Sequence, residues 1–486
     1  MAEDSPSRPD SIGAGTIYSL VARFAFLFSG YAIHIGLGRA LGPAGYGMVT
    51  VVLSLLTISR NFIMDGPRQA ISKFTAENER LAVAIRGVAL RIQGAFSFAV
   101  LLLFMVGAVP LAHLLNNGAL APYIRLAAPL MPIMAILSVY LASLNGLRAF
   151  GRQATAMIVY SAGRVLLALV GAHFWGISGA ILGLVAAPLG ALAVARLLLP
   201  ATPREGRFPA RRIIAFSVPM IIFSLADTLL MYLDLLFVQA WAGQSSQVGF
   251  YGSAATVAQI PYYALLPLVD TLLPTTARLL GQGQRDQARR TIATGLRYGC
   301  MLLVPAGVLI SVTGQSLMSF LYSGRYAQAG ISLAILIWGQ TFYAFFTLLT
   351  TLLGAEGKPR QAMGLVLAMV PVAVILNAIL VPRYGPVGAA CSTATTTLIG
   401  LVASLLLVQR DFGPIVGWRS LATIVLAALM TGALAAWWRP RGLLLVPAYA
   451  VLWGADIFAL WLLGGLNRQD VQRLRGLSQL VRRVAA

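Results

Sequence analysis

The sequence predicts an all-α protein that crosses a bilayer repeatedly: about fourteen helices, in two six-helix lobes related by a pseudo-two-fold, plus two extra C-terminal helices. Three observations predict it. Of 486 residues, 58% are hydrophobic and only 10% charged, whereas soluble globular chains carry about 25% charged residues. The apolar residues fall in runs near the ~20 that a helix needs to cross the hydrocarbon core. The chain also repeats itself. Leu144-x-Gly146 with Arg152-Gln153-Ala154 returns as Leu352-x-Gly354 with Arg360-Gln361-Ala362. Trp175-Gly176-x-x-Gly179-Ala180 returns as Tyr384-Gly385-x-x-Gly388-Ala389, and Tyr46-Gly47 as Tyr251-Gly252, at offsets of 208, 209 and 205. Two similar bundles with a site between them is a common plan of secondary transporters, so transport is the leading reading.

The first span runs near 12–38, with Arg23 at its middle and His34 eleven residues on, close to the same helical face. An ionisable group in hydrocarbon costs at least ~2.5 kcal/mol and by default faces a cavity. Arg23 is therefore expected to line one, while His34 reads as interfacial or packed. Gly42-Pro43-x-Gly45-Tyr46-Gly47 reads as a tight turn. The second span, near 46–66, carries Arg60 toward its cytoplasmic end, where it either faces the cavity or snorkels to the interface. A polar interruption from Arg68 to Arg86 follows. The next four spans run near 88–111, 123–146, 155–175 and 178–199, with Arg164 central in the fifth. Two or three guanidinium groups in a lumen suit a pyrophosphate, because arginine forks bind phosphate oxygens bidentately.

The second set runs near 213–240, 249–276, 292–321, 331–354, 362–381 and 386–409. Here the intramembrane charges are acidic. Asp227 and Asp234 lie seven residues apart on one face of the seventh span, and Asp270 sits near the cytoplasmic end of the eighth. Buried carboxylates are the usual proton or sodium sites of transporters. The alternative is an Arg–Asp pair that joins the lobes without titrating. Tyr262 and Tyr263, with Trp338, Tyr343, Phe345 and Phe346, have apolar faces that suit either sugar stacking or packing toward lipid. Pro261, Pro267 and Pro274 are expected to kink the eighth span. Two last spans, near 420–438 and 443–465, have no counterpart in the repeat, and Asp456 within them is expected to meet a partner helix or lipid. The lobes are placed at 1–204 and 205–412, with the extra helices and a basic tail at 413–486. Six spans per repeat unit is an even number, so both units enter the membrane in one orientation and the symmetry axis follows the membrane normal.

A net charge of +21 in a soluble protein would point to nucleic acid. Its placement excludes that reading. Of 36 Lys and Arg, six fall on one side of the membrane (Arg39, Arg125, Arg325, Arg383, Arg439, Arg441), three inside spans and the remaining 27 on the other side. This positive-inside bias puts both termini in the cytoplasm, with some contact to anionic lipid. The N-terminus, with Glu3, Asp4 and Asp10 and no basic region, is not read as a signal peptide. Cys300 and Cys391 lack metal-ligand spacing, the three histidines are scattered, and Gly281-Gln-Gly283-Gln lacks the lysine of a nucleotide loop. No metal or cofactor is expected.

Arg39-Ala-Leu-Gly42-Pro43-x-Gly45-Tyr46-Gly47 resembles the Arg-x-Leu-Gly-x-x-x-Tyr-Gly signature of bacterial polysaccharide transporters, and the Gly-x-x-Gly-Ala turns after the fifth and eleventh spans are similar too. These belong to the multidrug/oligosaccharidyl-lipid/polysaccharide exporter superfamily. The resemblance implies a flippase of the bacterial inner membrane. It would carry undecaprenyl-pyrophosphate-linked sugar units for O-antigen, capsule, exopolysaccharide or peptidoglycan, by alternating access driven by a proton or sodium gradient. A polysaccharide polymerase is an implied neighbour. The extra helix pair is similar to that of lipid II flippases and departs from twelve-helix multidrug exporters. On this reading Arg23, Arg164 and Arg60 hold the pyrophosphate, Tyr262 and Tyr263 face the sugar, and Asp227, Asp234 or Asp270 couples the ion. The alternatives are an ion-coupled exporter of cationic drugs, which central arginines would repel, and a membrane polymerase or ligase. The latter generally needs a large polar outer loop, and the outer loops here are short and contain no Asp or Glu.

Overall fold

The structure, a computed structural model, describes residues 12–465 apart from 202, 204, 242 and 243. The acidic residues Glu3, Asp4 and Asp10 and the basic tail with Arg473, Arg475, Arg482 and Arg483 lie outside the described residues. Among the described residues there is no β-strand. In chain order the helices are α1 (Ile12–Glu77), α2 (Ala82–Leu114), α3 (Leu120–Ala127), α4 (Leu130–Gly146), α5 (Phe150–Leu197), α6 (Ala210–Trp241) and α7 (Ser245–Ala258). They continue as α8 (Ile260–Gly281), α9 (Arg285–Leu321), α10 (Ala329–Ala355), α11 (Pro359–Phe412), α12 (Trp418–Trp438) and α13 (Leu445–Leu462). Ten helical segments among the described residues are long and apolar enough to cross a membrane. The protein is a multi-pass, all-α membrane protein.

Three of these segments are far longer than a bilayer is thick. Helix α5 has 48 residues, which at 1.5 Å per residue would make a straight rod about 72 Å long against a hydrocarbon core of ~30 Å. Instead it folds back at Gly176, so that Gly179 approaches Gly171 and Gly183 approaches Leu167 backbone to backbone. Gly176 has φ 57° and ψ −135°, and its repeat counterpart Gly385 in α11 has φ 55° and ψ −134°. Both are left-handed conformations that a side chain rarely adopts. Gly42 (φ 68°) breaks α1 at the expected turn. Each of these three helices covers two predicted spans.

Two predicted spans are interrupted. The fourth is divided between α3 and α4 just before Leu130, and the eighth between α7 and α8 at Gln259, where Pro261 sits in the first turn of α8. Proline is tolerated there because the first amides of a helix have no partner within it. The break falls at Pro261; α8 continues through Pro267 and Pro274. A larger difference concerns 68–77, read above as polar connection. Helix α1 continues to Glu77. Ala70, Ile71 and Thr75 are fully buried on one face, while Arg68, Gln69, Ser72 and Lys73 occupy the other. That is an amphipathic helix, which a search for twenty apolar residues passes over.

The chain forms two compact units. The first takes residues up to Thr256 together with Val366–Ser392, and the second takes Val257–Leu365 with the residues from Thr393 on. In the first unit Ala70, Ile71, Ile85, Ala89, Val139, Ala142 and Ile213 form a core joining α1, α2, α4 and α6. In the second, α8, α9 and α10 pack through Leu265, Leu272, Leu296, Phe345, Leu349 and Leu353, with Val408 and Phe412 of α11. Near one end of that unit Lys358 bridges Asp411 (2.8 Å) and Glu356 (3.4 Å), and Arg285 reaches Glu356 at 3.6 Å. Burial, and then the nearby Asp411 carboxylate, hold the Glu356 carboxyl above its usual range.

Candidate functional site: a cationic cavity in the first unit

One helix face after another turns polar toward the same space. From the first segment of α1 come Ser19, Arg23 and Phe26; from its second segment come Arg60, Asn61, Asp65, Arg68, Gln69, Ser72 and Lys73. Ser138 and Asn145 of α4, Phe150, Gln153 and Tyr160 of α5, and Phe216 of α6 complete the wall. The positions recur three, four or seven apart, as one face of each helix requires. The cavity they enclose is about 920 Å³, near the top of the range for small-molecule sites.

Its charge is one-sided. Arg23, Arg60, Arg68 and Lys73 supply four cations, and Asp65 is the one acid among the lining residues. That acid is engaged: Ser224 Oγ donates to Asp65 Oδ2 at 2.5 Å, and Arg68 approaches Oδ1 at 4.0 Å. Arg60 directs Nε and Nη2 at Asn61 Oδ1, both at 3.4 Å, and Asn61 in turn donates to Thr228 (3.0 Å). Lys73 stands over the Phe216 ring at 4.9 Å and reaches Glu77 at 3.9 Å. A neutral chain lines the same cavity, in which Ser72 Oγ donates to Asn145 Oδ1 (2.6 Å) and Asn145 Nδ2 to Gln153 Oε1 (3.1 Å).

Residues 37–331 match the family described as polysaccharide biosynthesis protein. The chain belongs to that family. The resemblance read from Arg39–Gly47 and the glycine turns is borne out at this level. Among its relatives, the probable low-salt glycan biosynthesis flippase Agl15 of Haloferax volcanii is 22% identical over 229 residues, 46% of this chain. That alignment spans 48% of Agl15, about half its length. The lipid II flippase MurJ of Bacillus subtilis is 22% identical over 473 residues, 86% of this chain and 85% of MurJ. A solved structure of lipid II flippase MurJ in an inward closed conformation superposes with a TM-score of 0.76 at 12% identity, covering 94% of this chain and 99% of that one. An inward-facing multidrug resistance transporter of the MATE family gives 0.69 at 12% identity, covering 82% and 98%. At these identities the structural likeness establishes the fold.

Of the site residues predicted for this family member, Arg23 and Arg60 line the cavity together. Arg164 lies behind its wall, 9% exposed. Its Nε and Nη2 donate to Ser29 Oγ (3.0 and 2.5 Å), Nη2 also donates to the Phe26 carbonyl, and the guanidinium stacks 4.1 Å over the Phe26 ring and 5.4 Å from that of Tyr160. Those two rings, stacked 6.3 Å apart, are the surface the cavity meets. Asp227 and Asp234 are on α6 and are not among the lining residues. Asp234 is buried, accepting from Tyr251 Oη (2.5 Å) and from the Leu235 amide (2.7 Å). His34 is packed, with Nδ1 2.9 Å from Tyr46 Oη, which lies 3.4 Å from Thr256.

In the second unit, Asp270 is exposed on α8. Tyr262 packs on the core of that unit, its ring 5.3 Å from Tyr263 and 5.4 Å from Tyr343. Asp456, expected to meet a partner helix or lipid, is fully buried within the unit, where Thr431 of the neighbouring helix α12 donates to it at 3.0 Å. The sequence reading missed Asp65, Arg68, Lys73 and the Ser72–Asn145–Gln153 chain. A signal for the first existed: the 205-residue offset that pairs Tyr46 with Tyr251 also pairs Asp65 with Asp270.

Proposed function

We propose that this protein translocates an undecaprenyl-pyrophosphate-linked oligosaccharide across the bacterial inner membrane for cell-surface polysaccharide synthesis, by alternating access and without covalent chemistry. The observation that carries the proposal is the cavity lined by Arg23, Arg60, Arg68 and Lys73 against a single engaged carboxylate. A pyrophosphate diester brings two negative charges, and guanidinium forks bind its oxygens in pairs. Loss of hydration on entry is costly for an anion unless charged donors replace the water. The flippase names of Agl15 and MurJ support the same cargo class. Export of cationic drugs fits poorly, because four cations would repel such cargo.

In this mechanism Arg23 and Arg60 draw the pyrophosphate from the cytoplasmic leaflet, and the polyprenyl chain stays in lipid. Arg164 supports the Phe26–Tyr160 wall. Asp227, Asp234 or Asp270 couples the step to a proton or sodium ion, and Tyr262 and Tyr263 meet the sugar at a later stage. A fourteen-span count, lobes divided at 204 and 412, cytoplasmic termini and hand-over to a polymerase belong to the same proposal.

The test is mass spectrometry of polyprenyl-linked sugars in cells lacking the gene. One undecaprenyl-pyrophosphate oligosaccharide should accumulate, clear on reintroduction of the protein, and persist when the reintroduced copy carries Arg23→Ala with Arg60→Ala. Full clearance by the double variant would remove the phosphate role of these arginines. No accumulation in the deletion would remove the cargo.

A further inference from the structure

The four cations account for a phosphate; they do not account for the Ser72–Asn145–Gln153 chain in the same cavity. We infer that this chain is a sugar-reading subsite, which takes the uncharged, hydroxyl- or acetamido-bearing sugar attached directly to the pyrophosphate. The inference rests on the flippase reading and adds which residues recognise the glycan.

Three observations carry it. The first is chemical. Ser72 donates to Asn145, and Asn145 donates to Gln153. Each amide is thereby pinned by its neighbour, while among the described residues Gln153 keeps both Nε2 hydrogens and each oxygen keeps a lone pair for another partner. Fixed, alternating donors and acceptors without net charge match sugar hydroxyls or an acetamido group, each of which both donates and accepts. The second is placement. Ser72 follows Arg68 by four residues on α1, so the chain begins one helical turn from a cation. Arg68 is one of the four cations that line the cavity, so a phosphate held beside it would bring its first sugar within reach of Ser72. Phe150, three residues before Gln153 and on the same face of α5, offers an apolar ring face beside it.

The third observation separates recognition from architecture at position 145, since Gln153 itself returns as Gln361. In the internal repeat, Leu144-Asn145-Gly146 corresponds to Leu352-Leu353-Gly354, so the counterpart of Asn145 is Leu353. Leu353 is fully buried in the core of its own unit. A helix end of this kind therefore packs well with leucine. An amide at 145 is not something the fold demands. Asn145 is instead half-buried on a cavity wall.

The test uses purified full-length protein and three probes: undecaprenyl pyrophosphate, undecaprenyl-pyrophosphoryl-N-acetylglucosamine and undecaprenyl-pyrophosphoryl-galactose. The variants are Asn145→Leu, which installs the residue of the second repeat, and Gln153→Met, which keeps the side-chain length and removes the amide. Gel filtration verifies that each is folded. Wild type should bind at least one sugar-bearing probe more tightly than undecaprenyl pyrophosphate. Each variant should weaken that sugar-bearing probe by about tenfold, as loss of one or two hydrogen bonds implies, and leave undecaprenyl pyrophosphate within about twofold. Arg60→Ala should weaken all three. Variants that change none of the affinities, or reduce all three equally, would overturn the subsite while leaving the flippase reading in place. Wild type that binds none of the probes would overturn both.

Discussion

Arg164 shows how an intramembrane charge can be central to a site without lining it. The sequence places it mid-span, where the desolvation cost demands a polar neighbour. That neighbour is internal: Ser29 Oγ, the Phe26 carbonyl and two ring faces. A planar guanidinium meets all of these at once, which a lysine ammonium does not. Arg164→Lys keeps the charge and loses the geometry. It should destabilise the protein by about 1–3 kcal/mol, the usual cost of stranding buried polar groups, seen as a lower Tm in detergent. Export should then fall only in step with the amount of folded protein. Unchanged thermal stability with export abolished would instead put Arg164 in direct contact with the cargo. Arg23 and Arg60 differ from it in local surroundings: Arg23 is exposed, and Arg60 is half-buried with its fork aimed at one asparagine oxygen.

At the scale of elements, glycines set how closely helices approach. Gly47 of the Tyr46-Gly47 pair faces α7, and a Cβ there would stand 2.1 Å from the Ser245 carbonyl and 2.9 Å from the Gly249 amide. Both obstacles are backbone, so Gly47→Ala must push helices apart and should cost about 1–3 kcal/mol. Gly87 in α2 has nothing within 4 Å of the position a methyl group would take. Gly87→Ala should therefore stabilise by about 0.5–1 kcal/mol through helix propensity alone. Comparing thermal unfolding of the two variants checks both signs; a harmless Gly47→Ala would contradict the close packing. The turn glycines were legible in the sequence because Gly42, Gly176 and Gly385 must hold positive φ, which leaves a residue-type signature. Arg23 and Arg60 were legible because charge is rare in apolar runs. Arg68 and Lys73 were not, since beyond the bilayer edge a charged residue is ordinary and only the periodicity of Ala70, Ile71 and Thr75 marks the helix. Asn145 was hidden for a different reason: a lone amide at a helix end has several bland explanations until Ser72 and Gln153 are seen bonded to it.

At the scale of the whole molecule, charge asymmetry assigns the cavity a side. Its lining residues come from the N-terminal part of α1, the C-terminal ends of α1 and α4 and the start of α5. Arg80 and Arg148 lie in connections that join those ends, Arg152 lies in the first turn of α5 and Arg207 just before α6, whereas the opposite end of the same unit carries Arg39 and Arg125. The positive-inside rule predicts that the cavity meets the cytoplasm, the side from which the proposed function has the cargo collected. This orientation is testable in a background with Cys300→Ala and Cys391→Ala. Gln69→Cys, exposed on the cavity wall, should react with a membrane-impermeant maleimide in inverted vesicles and stay largely unreacted in intact spheroplasts. Ala119→Cys, exposed in the connection at the other end, should show the reverse. Undecaprenyl pyrophosphate should slow labelling of Gln69→Cys and leave Ala119→Cys unaffected, because only the first shares the cavity with Arg60 and Arg68. Labelling of Gln69→Cys from the outer face alone would invert the topology, and the direction of transport would have to be inverted with it.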